Sequence, residues 1–196
     1  LALGILEEPE KKPALVLVGG LPGTGKSTLA RNLAESAGFE VISTDVVRKE
    51  LAGLSPVSSG ASSFGQGIYS PEWNDRTYTE CLQRAEGLLL EGGRVLIDAS
   101  FRDEKQRRHF LDFAHRMKVP FVIIICEASN EIVRARLARR TGDISDADWK
   151  IYLHSAAEWI PLSPSTRALA SFIETDRSIE KVNEEATQLL QQHGLV

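Results

Sequence analysis

Gly20-Leu21-Pro22-Gly23-Thr24-Gly25-Lys26-Ser27 is the stretch that decides how this chain is read. It fits G-x-x-x-x-G-K-[ST], the spacing of a phosphate-cradling P-loop. Its flanks agree with that reading. Ala14-Leu15-Val16-Leu17-Val18 before it is an aliphatic run of strand length, and Ser27 to Ala34 after it has helical composition. The glycines let the backbone turn tightly, so that successive N–H groups converge on one concavity. The helix N-terminus adds a partial positive charge at the same point. In such a loop Lys26 reaches the β- and γ-phosphates and the Ser27 hydroxyl ligates Mg²⁺. Gly20, Gly23, Thr24, Gly25 and Thr28 complete the expected nucleotide-binding set. ATP and Mg²⁺ are therefore the expected ligands, and what becomes of the γ-phosphate is the open question.

The chain has 196 residues, enough for one domain with a buried core. A net charge of −4 argues against a broadly basic nucleic-acid surface while leaving room for a local basic groove. Cys81 and Cys126 lie far apart and in no metal-ligand spacing, which favours a reduced, cytoplasmic setting. The longest apolar run, Phe121 to Cys126, is far too short to span a bilayer, so no membrane role is expected. The first residue is Leu1 rather than Met, which suggests a piece of a longer protein or a processed chain.

Working outward, residues 1–13 are charged and proline-punctuated and read as a linker or tail, with the P-loop domain over 14–196. Strands are expected at 39–43, 94–98, 121–126 and 171–175, and helices at 46–52, 71–91, 103–117, 130–140, 146–160 and 178–192. Pro161 and Pro164 mark a loop. Strands alternating with helices mean a parallel α/β domain in three layers. Residues 53–70 are rich in serine and glycine and lose apolar periodicity. They read either as a surface excursion or as a mobile flap over an acceptor site, with Phe64 and Tyr69 as candidate contacts.

Moving a phosphoryl group is mostly positioning and charge stabilisation. Each part of that task has a candidate. Asp45 follows the second strand directly, where a carboxylate next to the P-loop can take the proton of an attacking hydroxyl. Arg48, three residues on, shares its helix face and could hold an anionic acceptor or orient Asp45; the plainer reading is a helix cap beside a solvated charge. Asp98 ends the third strand after aliphatics, the pattern of an acid that holds Mg²⁺; alternatively it orients Arg48 across the cleft or forms a turn. Arg134, Arg136, Arg139 and Arg140 crowd one helix before a glycine break. Arg136 and Arg139 on a hinged lid at about 134–147 would neutralise phosphate charge, against the alternative of a solvated basic face. Arg102, Arg107 and Arg108 could meet an acceptor phosphate, but a solvated helix face is the plainer reading, and the four histidines and three tryptophans read as structural. Thr175-Asp176 lies where a loop could touch adenine.

With these residues placed, Ala14 to Asp176 resembles the AAA-33 family of P-loop predicted kinases, which is similar to polynucleotide 5′-hydroxyl kinases and zeta-toxin-like and gluconate-type kinases. The resemblance rests on the P-loop, on Ile42-Ser43-Thr44-Asp45-Val46-Val47-Arg48, on Leu96-Ile97-Asp98-Ala99-Ser100-Phe101, and on Val133 to Arg140. It implies a five-stranded, nucleoside-kinase-like parallel sheet. It also implies Asp45 as general base, Arg48 as a substrate-binding arginine, Asp98 as the third-strand acid, and Arg139 as the lid arginine on the phosphates. In bacteria such domains follow an aminoglycoside-phosphotransferase-like domain, so a fused N-terminal domain is implied as a partner. The serine-glycine loop departs from the acceptor region of polynucleotide kinases, so a small-molecule hydroxyl is favoured over a nucleic-acid end. Two other classes remain beside the kinase: a nucleotide-binding regulatory module with weak ATPase activity, and a switch GTPase or ring-forming ATPase. The last lacks support, because no Asn-Lys-x-Asp motif is present and the chain is short for a ring ATPase.

Overall fold

The computed structural model describes residues 12–55, 67–141 and 146–196. Five parallel strands form one sheet in the order β2-β3-β1-β4-β5. In chain order they are β1 (Ala14–Gly20), β2 (Glu40–Ser43), β3 (Arg94–Asp98), β4 (Phe121–Glu127) and β5 (Ala170–Glu174). β1 sits at the centre and is buried throughout, as its unbroken aliphatic run requires of a parallel strand covered on both faces. The eight α-helices among the described residues are α1 (Lys26–Ala37), α2 (Thr44–Leu51), α3 (Pro71–Leu90), α4 (Glu104–Met117), α5 (Asn130–Thr141), α6 (Asp146–Ala157), α7 (Pro164–Arg167) and α8 (Ile179–Gln192), with a 3-10 turn at Gly67–Tyr69.

Alternation along the strands divides the core in two. Val16, Val18, Leu96 and Ile124 face α1 and α8. Leu15, Leu17, Ile97 and Ile125 face the side of α2, α3 and α4, joined by Phe101 and Phe110. This is the three-layer parallel α/β architecture expected from the sequence. β1 and β2 are each level with β3 at Asp98, opposite Val18 and Ser43 respectively, while Gly20 pairs with Cys126 of β4. The P-loop and the acid therefore leave the sheet at the same edge.

Element ends follow local chemistry. Gly38 closes α1 in the left-handed region (φ 69°), its N–H donating to the Ala34 carbonyl. Ser70 caps α3, accepting from the Trp73 N–H, with Pro71 next to it. Several boundaries differ from expectation, among them α6, which ends at Ala157 rather than near Ile160. β1 runs two residues further, into the P-loop glycines. α2 begins at Thr44, so Asp45 lies in the first turn and is not the cap. Residues 164–167, expected as loop, form α7, with Ser163 accepting from the Thr166 N–H.

Cys81 and Cys126 are both free and buried, and burial pushes each thiol up to about 12. No described helix is long and apolar enough to cross a membrane. Residues 56–66 of the serine-glycine loop, with Phe64, and the side chain of Arg140 lie outside the described residues.

Candidate active site

Strand β1 delivers the P-loop into a crowded corner. A Cβ on Gly20 (φ +144°) would stand 2.6 Å from the Cys126 carbonyl oxygen and from Thr24 Oγ1. Gly23 and Gly25 also have positive φ, at 82° and 87°. No other residue type fits this path without strain. Thr24 Oγ1 donates to the Leu21 carbonyl at 2.8 Å, and Lys26 Nζ folds back on the same carbonyl at 3.4 Å. Ser27 is half-buried and Thr28 exposed at the mouth of the loop.

The loop is tied down from a distant part of the chain. Thr175, directly after β5, places its Oγ1 2.7 Å from the Thr24 carbonyl and 3.1 Å from that of Glu127. Arg136 of α5 donates to Thr175 Oγ1 at 2.9 Å, to the Thr175 carbonyl at 2.6 Å and to the Gly23 carbonyl at 3.4 Å. Arg136, Arg139 and Arg177 line a groove of about 270 Å³ with Gly25 and Thr28. The sequence reading of Arg136 and Arg139 as co-facing holds at this groove. A second cavity, about 630 Å³, lies beside Leu21 and Cys126 under Tyr152 and Trp159; its charged lining is Glu127, Glu174 and Asp176. Asp176 accepts from the Ser129 N–H there.

On the other flank, β2 and β3 bring the acids together. Thr44 Oγ1 donates to the Asp98 carbonyl at 3.2 Å, joining the start of α2 to the end of β3. Asp98 is 8% exposed, and its Oδ1 is buried with no hydrogen-bond partner. Asp45 is exposed and pairs with Lys49 one turn on at 2.7 Å. Tyr69 lies beside them; burial, then the neighbouring Asp45 carboxylate, hold its phenol above the usual range. Arg48 is buried, and its Nη2 donates to Asn74 Oδ1 at 2.9 Å.

Three alternatives from the sequence give way here. Arg48 does not orient Asp45, because that carboxylate is held by Lys49, and it forms no ion pair with Asp98. Asp45 is no cap, since the residue before α2 is Ser43.

Arg107 is the clear correction. Expected on a solvated face, it is fully buried. Its Nη1 donates to the Phe101 carbonyl at 2.7 Å, its Nη2 to the Ile160 carbonyl at 2.5 Å, and its Nε to Glu104 at 2.8 Å. It thereby ties the turn after β3 to the exit of α6. That turn is unusual: Phe101 has φ 47° and packs edge-on against Tyr78 and Phe110, while the Ser100 carbonyl accepts from the Gly20 N–H. Arg102 pairs with Glu158 and is no acceptor ligand in this arrangement.

Lys49, Asn74, Tyr69 and Thr175 complete the site. Lys49 sits at i+4 from Asp45, a spacing visible in the sequence. Asn74 carried no signal, because only the packing of α3 on α2 brings it to Arg48.

The AAA-33 family, described as an AAA domain, matches residues 15–157. An uncharacterized protein of Mycobacterium tuberculosis is 37% identical over 143 residues; the match covers 73% of this chain and 29% of that protein. This chain thus spans less than a third of that relative's length. Among solved structures it is similar to a gluconokinase from Sinorhizobium meliloti (TM-score 0.67, 16% identity, 93% of this chain and 94% of that one). It is also similar to the Mycobacterium tuberculosis APS kinase in complex with AMPPNP and APS (TM-score 0.64, 20% identity, 92% and 98%).

Proposed function

The chain belongs to the AAA-33 family, and from that premise we propose that it is an ATP-dependent phosphotransferase acting on a hydroxyl, with a small molecule as acceptor. The observation that carries this reading is Asp98: a buried carboxylate oxygen without a partner, at the sheet edge where the P-loop begins. An unpartnered buried carboxylate oxygen calls for an explanation, and a bound cation would supply one. The kinases among the similar structures support the same class, one of them holding an ATP analogue.

In this reading the phosphates rest on the backbone of Gly23 to Ser27. The nucleoside extends into the groove of Arg136, Arg139 and Arg177, since among the described residues the larger cavity presents carboxylates as its charged groups. Ser27 and Asp98 fit a Mg²⁺ ion: a hydroxyl and an orphaned carboxylate oxygen, both hard oxygen donors. When bound, the ion would neutralise charge on the β- and γ-phosphates. Asp45 takes the acceptor proton as a bond forms between the acceptor oxygen and the γ-phosphorus. The bond from that phosphorus to the ADP oxygen breaks, and its electron pair leaves with ADP. Lys26 and Arg139 stabilise the charge in transit. Lys49, paired with Asp45, must give way or share as the base works. The lid reading for about 134–147 rests on Arg136 and Arg139 of α5, while residues 142–145 lie outside the described residues.

The pairing of Asp45 with Lys49 also favours a second reading, a nucleotide-binding regulatory module with weak ATPase activity, because a carboxylate already held by an ammonium group is less free to meet an acceptor hydroxyl. ADP release separates the two. The kinase reading expects an acceptor hydroxyl to raise it above the water background and Asp45→Asn to remove the increase. If no acceptor raises it and Asp45→Asn leaves the background unchanged, the regulatory reading replaces it.

A further inference from the structure

The larger cavity lies apart from the residues of phosphoryl transfer. Its volume of about 630 Å³ is that of a small-molecule site. Neither Lys26, Asp45 nor Asp98 lines it. It is also distinct from the arginine groove. Leu29 and Val182 of that groove belong to the core layer under α1 and α8, whereas Ile125 and Trp159 of the cavity belong to the layer on the opposite face of the sheet.

The floor of the cavity follows from strand alternation. On this face Ile123 and Ile125 of β4 run beside Ala170 and Phe172 of β5. The next positions on the same face are Glu127 and Glu174, in register with each other. The two apolar rows therefore end in acids. Above them, Tyr152, Ala156 and Trp159 of α6 and its exit recur at helical spacing. Such a stripe ordinarily closes onto a core, because interiors keep few voids larger than a water molecule. Here it stands over open volume.

The mouth carries one sign of charge. Glu127, Glu174 and Asp176 are exposed, and among the described residues no Lys, Arg or His lines the cavity. Asp176 accepts from the Ser129 N–H just before α5. Among the described residues nothing bonds the carboxylates of Glu127 or Glu174. Elsewhere the fold gives its surface acids partners: Glu50 and Glu80 share Arg84, Glu158 has Arg102, and Glu185 has Arg177. Arg107, whose guanidinium lies 5.5 Å from the Trp159 ring centroid, is already matched by Glu104 and by backbone carbonyls. Like charges directly opposite on neighbouring strands destabilise a sheet, so Glu127 and Glu174 are a standing repulsion.

We propose that this cavity is a second small-molecule site and that it takes a compact organic cation. The apolar body of the ligand rests against Leu21, Ile125 and Trp159, and its protonated amine sits between Glu127 and Glu174. The ammonium group relieves the repulsion and donates charge-assisted hydrogen bonds to both carboxylates. A neutral ligand gains the apolar contact alone, and an anion meets three carboxylates. No phosphoryl transfer is required, so the site stands whichever role Asp45 has.

Three probes on one indole body test this: tryptamine, tryptophol and indole-3-acetate. Titration calorimetry is run on the whole chain with AMPPNP and Mg²⁺ saturating, so that the indole cannot enter the nucleoside groove. Tryptamine should bind at a single site, tryptophol about tenfold more weakly for want of the charge-assisted bonds, and indole-3-acetate not at all. The double variant Glu127→Gln with Glu174→Gln changes exposed side chains only. It should keep or raise the Tm and bring tryptamine down to the affinity of tryptophol. Ala156→Phe puts a ring into the cavity and should abolish tryptamine binding while AMPPNP still binds; if it fails to fold, the glutamine pair decides. The proposal is overturned if tryptamine does not bind the wild type, or if tryptophol or indole-3-acetate binds as tightly. It is equally overturned if the glutamine pair leaves the advantage of tryptamine intact, or if a folded Ala156→Phe still binds it.

Discussion

Asp98 and Arg107 are both buried charges, and the fold treats them in opposite ways. Asp98 keeps one oxygen unpartnered. Replacing it with Asn should therefore cut phosphoryl transfer by about 10²-fold or more while leaving thermal stability unchanged or higher, a stability–activity trade-off measured by kcat and Tm on one preparation. Arg107 is satisfied on every side, so Arg107→Leu strands the Phe101 and Ile160 carbonyls and Glu104. Breaking such a network costs about 3–5 kcal/mol. At about 2–4 °C per kcal/mol for a chain of this size, Tm should fall by about 10 °C. Glu104 gives a pH signature of the same network. Burial alone would raise its pKa, but bonds from Ser163, Thr166 and Arg107 outweigh burial and hold it below the usual carboxylate value. A depressed carboxyl contributes stability above its unfolded pKa and loses it as pH falls through the folded one. The wild type should therefore lose Tm on acidification below about 4.5, and Glu104→Gln should flatten that part of the curve.

At the scale of elements, the site depends on strand ends meeting in register. Gly20→Ala drives a Cβ into the Cys126 carbonyl oxygen, and neither backbone can yield without parting β1 from β4. Loss of AMPPNP binding together with a lower Tm is expected. Thr175→Val removes the hydroxyl between the P-loop and β4. At about 1 kcal/mol per hydrogen bond, ATP affinity should weaken roughly five- to tenfold, read as a rise in the KM for ATP with the acceptor KM unmoved. The P-loop, the strands and the site of Asp98 were legible in the sequence because each is written in consecutive residues: glycine spacing, aliphatic runs, an acid at a strand end. The burial of Arg107, the place of Asn74 and the bracing role of Thr175 were not. The partners of these residues lie across the fold, and nothing in the neighbouring sequence distinguishes a buried arginine of α4 from the exposed Arg108 beside it. α7 had a local signal, Ser163 before Pro164, that the prolines concealed.

For the whole molecule, the order β2-β3-β1-β4-β5 puts the first strand in the middle and the last at an edge. α1 and α8 close one face, so the two ends of the described chain share a core layer. Removing residues 170–196 should therefore abolish AMPPNP binding although Lys26, Ser27 and Asp98 all remain, as measured by titration of the truncated chain.

The hydroxyl that steadies the Thr24 carbonyl comes from Thr175, 151 positions later. On a ribosome the phosphate cradle emerges 151 residues before its brace. Until Thr175 has left the exit tunnel a nascent chain carries an unbraced cradle, and cellular ATP cannot act as a folding template for it before then.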